Sequence, residues 1–264
     1  MPFSRLNNAR LYWREIGPQN APAVMFSNSL GTDSRVWDEI AAALAGRYRV
    51  VLYDKRGHGL SELTPGPYSI GMLADDALAL ADHLGLGKFA FVGLSIGGII
   101  GQQVALRAPA RLSTLVICDS AAKIGTDESW NTRIQAVQEK GLSGIADLVM
   151  ERWFTPSYCT QQATELAGWV RMLCATPDAG YIATCEALRA ADLRGAAPGI
   201  STPTILIGGD GDLSTPPALV QETAALIPGA RFEMIKQCGH IPPAEQPEAL
   251  LALLERQLAE HARA

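Results

Sequence analysis

The chain has no run of apolar residues long enough to cross a bilayer, no Cys-x-x-Cys pair, no basic block and few histidines. Each absence removes a class of function. Without an apolar span there is no transmembrane helix to place, and Met1-Pro2-Phe3-Ser4-Arg5 leads into polar residues instead of the apolar core of a secretory signal, so a cytoplasmic protein with no membrane partner is expected. Cys118, Cys159, Cys174, Cys185 and Cys238 are odd in number and lack ligand spacing, which argues against a disulfide framework or a thiolate zinc site and fits a reducing compartment. The 22 Lys and Arg against 27 Asp and Glu are spread along the chain, so nucleic acid is not an expected partner. Gly57-x-Gly59 lacks the third glycine and downstream acid of a dinucleotide fingerprint, and neither a phosphate-binding GxxxxGK[ST] nor HExxH occurs. No metal or organic cofactor is expected. With 48% hydrophobic and 19% charged residues in 264, disorder and coiled coil are excluded, leaving one globular domain with room for an inserted subdomain.

What is present is an α/β rhythm. Ala9 to Ile16 reads as an edge strand, and Ala23-Val24-Met25-Phe26 as a buried strand entering Ser27-Asn28-Ser29-Leu30-Gly31. A helix is predicted over 34–44, a strand over 50–54 that runs into Lys55-Arg56-Gly57-His58-Gly59, and a long helix over 70–84. Phe89-Ala90-Phe91-Val92 is the next strand, followed by Gly93-Leu94-Ser95-Ile96-Gly97 and a helix that Pro109 terminates. Strands are predicted at 115–119, 204–208 and 231–235, and a last helix over 247–262. Between Asp119 and Thr204 no strand pattern occurs, so short helices packed over one edge of the sheet are expected. The division expected is a core of residues 1–121 and 199–264 with a helical cap of residues 122–198.

Gly93-Leu94-Ser95-Ile96-Gly97 is G-x-S-x-G with a strand before it and a helix after it, the context in which a sharp turn exposes the serine hydroxyl at a strand end. A hydroxyl is a weak nucleophile at neutral pH and needs an imidazole, itself oriented by a carboxylate. Of His58, His83, His240 and His261, the chain order nucleophile, acid, histidine selects His240, while His58 between two glycines reads as a structural or pocket-edge residue. Three carboxylates, Asp119, Asp210 and Asp212, close strands at suitable places; the glycines at 209 and 211 favour Asp212. Two backbone N–H groups should receive the oxyanion, those of Ile96 and of a residue in the Asn28 to Gly31 loop, Leu30 being the best placed.

These residues resemble the α/β-hydrolase superfamily and, within it, the 3-oxoadipate enol-lactonases. Phe26-Ser27-Asn28-Ser29-Leu30-Gly31-Thr32 looks like that family's oxyanion loop, and Trp130-Asn131, Glu151-Arg152-Trp153-Phe154-Thr155-Pro156 and Cys185 to Leu193 look like its cap. The resemblance implies an α/β-hydrolase fold with a mostly parallel sheet, a triad at Ser95, Asp212 and His240, and hydrolysis of a small anionic lactone in aromatic catabolism. A free carboxylate on that substrate requires a donor, for which Arg133 is the candidate, with Asn28, Trp130 and Trp153 as further candidate contacts. A general carboxylesterase or lactonase, a cofactor-free perhydrolase and a ligand-binding module on the same scaffold are the rival readings, and homo-oligomerisation stays open.

Overall fold

The computed structural model describes residues 2–261. Its strands are β1 (Phe3–Leu6), β2 (Ala9–Ile16), β3 (Ala23–Ser27), β4 (Arg49–Tyr53), β5 (Phe89–Leu94), β6 (Leu112–Cys118), β7 (Thr204–Gly209) and β8 (Arg231–Ile235). They form one sheet in the order β1-β2-β4-β3-β5-β6-β7-β8. From β4 to β8 every neighbouring pair is parallel, while β1 and β2 pair antiparallel with each other and β2 pairs antiparallel with β4. Strands β3, β5, β6 and β7 bury all their residues, which is why β3, β5 and β7 read as largely apolar runs instead of alternating ones, while β6, expected only from residue 115, starts at Leu112 and includes Ser113 and Thr114.

The helices are α1 (Asp38–Leu44), α2 (Ile70–His83), α3 (Ile96–Arg107), α4 (Asp127–Lys140), α5 (Ala146–Trp153), α6 (Pro156–Gln161), α7 (Ala163–Ala175), α8 (Asp178–Ala190), α9 (Pro217–Leu226), α10 (Pro242–Glu245) and α11 (Pro247–His261). Side-chain alternation along β6 shows how they are layered. Gly98 and Gly101 of α3 sit against Ile117 and Leu115, whereas Gln257 of α11 donates to the Thr114 hydroxyl, so α3 and α11 cover opposite faces. The segment between β6 and β7 carries α4 to α8 and, among the described residues, no strand.

Three local readings differ from the sequence expectation. The sheet edge is β1, joined to β2 through Asn7 and Asn8 at φ 45° and 61°, a two-residue left-handed turn that the Asn-Asn pair signals. The helix expected over 34–44 starts as a 3₁₀ turn, Ser34–Trp37, with the Asp33 side chain accepting from Arg35 N–H, and becomes α-helical only at Asp38. Helix α9 is additional, begun by Pro217 at its first turn. The last helix was expected to reach Ala262, which lies outside the described residues.

Parallel order reverses around β3: β4 lies on one side and β5 on the other. The crevice outside strand carboxyl ends at such a reversal is where open α/β sheets place ligands. The loops leaving β3 and β5 meet there.

Candidate active site

Ser95 follows β5 directly at φ 57°, ψ −119°, a conformation that L-residues avoid unless their surroundings enforce it. The surroundings do so: its N–H donates to the Cys118 carbonyl at 2.9 Å and its carbonyl accepts from Gly98 N–H at 2.8 Å. The flanking glycines are required by space. A Cβ on Gly93 would lie 2.1 Å from the Gly97 carbonyl oxygen, and one on Gly97 would lie 2.3 Å from that of Ser27. Ser95 is buried to 7% exposure, and what remains open faces a cavity of about 500 Å³.

His240, from the loop after β8, lines the same cavity. Its Nδ1 lies 2.8 Å from Asp212 Oδ2, so Nδ1 carries a proton and Nε2 is left for chemistry. Asp212 is itself held by four donors: Ser214 N–H at 2.6 Å and Thr215 N–H at 3.0 Å on Oδ1, and the Thr215 hydroxyl at 2.5 Å and His240 on Oδ2. Burial alone would raise this carboxyl, but the charge and hydrogen bond of His240, together with Thr215, outweigh it and hold Asp212 below the usual carboxylate range. The backbone closes the arrangement, since His240 N–H donates to the Trp153 carbonyl at 2.7 Å.

The other carboxylates are placed differently. Asp210 accepts from Cys238 N–H at 3.3 Å and pairs with Lys236 at 3.7 Å. Asp119 closes β6 at φ 44°, accepts from Gly209 N–H at 2.7 Å through Oδ1, and leaves a buried Oδ2 with no partner. Burial and then the neighbouring Asp212 charge push the Asp119 carboxyl well above the usual range. Asp119, Asp212 and His240 bring donor atoms within 4.8 Å of one another, the one such trio among the described residues. Hydrogen bonds already commit His240 Nδ1 and both Asp212 oxygens, so that pair is built to orient the histidine and the trio is not an open ligand set. His83 bonds Ser4 at 2.8 Å and His261 pairs with Glu260 at 3.6 Å, on parts of the surface unconnected with this site.

Ile96 occupies the first position of α3, where a helix has no internal acceptor for its N–H. Neither the Ile96 nor the Leu30 N–H donates to a backbone carbonyl among the described residues, and Leu30 lines the cavity beside Ser95. Asn28 does not. Expected as a substrate contact, it is fully buried, and its amide donates to the Thr32 carbonyl inside its own loop.

The far wall comes from the helices between β6 and β7: Trp130, Arg133, Arg152, Trp153 and Tyr181. Arg133 donates to the Tyr181 hydroxyl at 3.4 Å, Trp130 Nε1 donates to the Ile124 carbonyl at 2.7 Å, and Arg152 donates to the Leu213 carbonyl at 2.9 Å. Arg152, absent from the sequence-based candidates, stands one residue before Trp153. Burial and then the Arg133 charge hold its guanidinium below the usual range, so two cations share this wall.

A family model described as the alpha/beta hydrolase family matches residues 24–253. The chain is 37% identical to 3-oxoadipate enol-lactonase 2 of Acinetobacter baylyi, over 90% of this chain and 89% of that protein. A putative carbamate hydrolase, RutD, of Stutzerimonas stutzeri is 28% identical over 91% of this chain and 93% of its own length. Among solved structures, the enol-lactonase from Burkholderia xenovorans LB400 superposes with a TM-score of 0.95 at 39% identity, covering 98% of this chain and all of that one.

Proposed function

The chain belongs to the α/β-hydrolase family, and from that premise we propose that it hydrolyses 3-oxoadipate enol-lactone to 3-oxoadipate through a Ser95 acyl-enzyme. The observation that carries the reading is the meeting, in one cavity, of a strand-end serine and a carboxylate-oriented histidine with the two arginines of the opposite wall. The first pair suits acyl transfer, and the second suits a substrate with a free carboxylate. Residues 122–198 act as the cap that supplies this wall.

In the acylation step His240 Nε2 takes the Ser95 proton as Oγ attacks the lactone carbonyl, and the Leu30 and Ile96 N–H groups receive the charge on the oxygen. The bond from the acyl carbon to the ring oxygen then breaks. The leaving oxygen takes the proton from His240 and becomes an enol still joined to the acyl chain, which tautomerises to the ketone and draws the reaction forward. Water, deprotonated by His240, attacks the acyl carbon and restores Ser95. The product carries two carboxylates, one at the reaction centre and one held by Arg133 and Arg152. Trp130 and Trp153 supply apolar walls for the ring. The likeness to enol-lactonases supports a place in aromatic catabolism with a small molecule as partner, and a cytoplasmic location goes with that reading; among the described residues no helix is long and apolar enough to cross a membrane.

The test follows the ultraviolet absorbance of the enol-lactone with purified enzyme, beside a neutral aryl ester of similar size. Faster turnover of the acidic lactone is expected. A clear preference for the neutral ester would overturn the substrate assignment and leave a general esterase.

A further inference from the structure

Leu30 sits in a turn whose Ser29 carbonyl accepts from Thr32 N–H at 3.3 Å and the Thr32 hydroxyl at 3.1 Å, and groups outside the loop add to that hold on the Leu30 N–H. The segment after β4 provides them. Lys55 and His58 are buried to 1% and 0% exposure beneath the loop, out of reach of substrate. The Lys55 ammonium donates to the Ser29 carbonyl at 2.5 Å, and the Gly31 N–H donates to His58 Nε2 at 3.0 Å. The Ser29 carbonyl and the Leu30 N–H belong to one peptide unit, in which a trans bond points the two in opposite directions. Tying the carbonyl down to Lys55 therefore turns the Leu30 N–H away from Lys55. The next peptide is fixed in the opposite sense, by its N–H, on His58.

We propose that Lys55 and His58 are positioning residues for the oxyanion hole: Lys55 aims the Leu30 donor through the Ser29 carbonyl, and His58 locks the following peptide through Gly31. The inference rests on Leu30 being an oxyanion donor in the reading above. It uses a histidine in the role opposite to that of His240. To accept from Gly31, Nε2 of His58 must be bare, which leaves the ring proton on Nδ1, 3.4 Å from the Arg56 carbonyl. Burial, and then the charge of Lys55, keeps that imidazole well below its usual range and so neutral. Lys55 is pushed down to about 7 by burial, against the pull of Asp54 and Asp33, and donates in either charge state. From above, Gly31 at φ 74° is closed in by Leu173 and Tyr181, so the loop has little freedom to find another position.

The experiment compares Lys55→Met, His58→Phe and His58→Gln with wild type. Each is assayed for kcat and KM on the enol-lactone, for the rate of Ser95 labelling by an aryl phosphonate, and for melting temperature. Full removal of an oxyanion donor costs about a hundredfold or more in kcat, so a misaimed donor is expected to cost about tenfold to a hundredfold. Lys55→Met and His58→Phe should show that loss in kcat and in labelling rate, with KM changed by less than about threefold. His58→Gln keeps an acceptor oxygen in reach of Gly31 and should recover most of the rate. A folded Lys55→Met with unchanged kcat, or a folded His58→Gln as slow as His58→Phe, overturns the proposal. If Lys55→Met does not fold, the two His58 variants decide alone. Failure of wild type to be labelled or to cleave the lactone would instead strike the functional reading. A wild type that labels normally beside unaffected variants would strike only the brace.

Discussion

The two walls of the cavity are held by different means. On the sheet side, Ser95 and Asp212 leave β5 and β7, whose residues are all buried and which have strand neighbours on both sides, and His240 follows the edge strand β8. On the helical side burial is uneven: α5 buries Ala146, Val149, Met150 and Trp153 and α8 buries seven residues, while α6 buries none, α7 only Leu173 and α4 only Ile134 and Val137. That wall shares the apolar core of the sheet through α5 and α8, and polar contacts add to the packing, such as His240 N–H on the Trp153 carbonyl at 2.7 Å and the Thr155 hydroxyl on Glu245 at 2.6 Å. The contrast separates two jobs. Chemistry needs atoms fixed to a fraction of an ångström, which a parallel sheet provides; choice of substrate needs a surface that can change without disturbing the sheet.

Substitutions on the sheet side should therefore act on kcat, and the largest effect is expected there. Ser95→Ala should lower kcat by at least about 10⁴-fold in the absorbance assay, since the residual rate comes only from binding and the oxyanion donors. Asp212→Asn should cost about 10³- to 10⁴-fold by allowing the wrong tautomer of His240, while Asp210→Asn should change kcat by less than about twofold. The same carboxylate should be visible in stability. Its folded pKa lies below the unfolded one, so it adds stability at pH values above the unfolded one and loses it as pH falls through the folded one. Urea unfolding at about pH 5 and about pH 3 should show wild type losing more stability than Asp212→Asn over that interval, because ordinary aspartate titrates near 4.

Legibility in the sequence follows the same division. Strands β3, β5 and β7 announce themselves as apolar runs because both faces are buried, and the Ser95 turn does so because the glycines at 93 and 97 leave no space for a side chain. The loop after β3 was readable as far as Leu30. The role of Asn28 was not, because an amide that bonds its own loop and one that faces a ligand look alike in a sequence. On the helical side, the run of helices could be read, but the proximity of Arg152 to Arg133 could not. Those residues are 19 positions apart on α5 and α4, and tertiary packing alone brings them to one wall. Lys55 reads as an ordinary charged loop residue; only burial shows it bonded to Ser29.

On the helical wall the expected effects move from kcat to KM. Arg152→Ala and Arg133→Ala should each raise KM for the acidic lactone by about tenfold, the scale of one charge-assisted contact, with kcat within about threefold. Neither should alter the rate on a neutral aryl ester. A drop in kcat equal to the rise in KM would mean that this wall also positions the reacting carbonyl, and the separation of jobs would fail.

The sharpest test of the comparison, read in stability more than in catalysis, is expected at Leu173. It is fully buried and is the one α7 side chain driven against the oxyanion loop, where a Cβ on Gly31 would come 2.6 Å from its Cδ1. Leu206, equally buried in β7, has neighbours fixed on both sides by the strands β6 and β8. Leu to Ala at a buried site costs about 2 to 5 kcal/mol, and the loss depends on how far the surroundings can close over the gap. Leu206→Ala should therefore fall at the upper end in urea unfolding, because hydrogen-bonded strands cannot close in. Leu173→Ala should fall at the lower end, because α7 has no other buried side chain to keep it in place and can settle inward. Its kcat should fall by less than the value for Lys55→Met, since the loop remains tied from below by Lys55 and His58. Equal losses of stability at the two leucines would show that the helical wall is as rigidly packed as the sheet, so that recognition and chemistry share one framework.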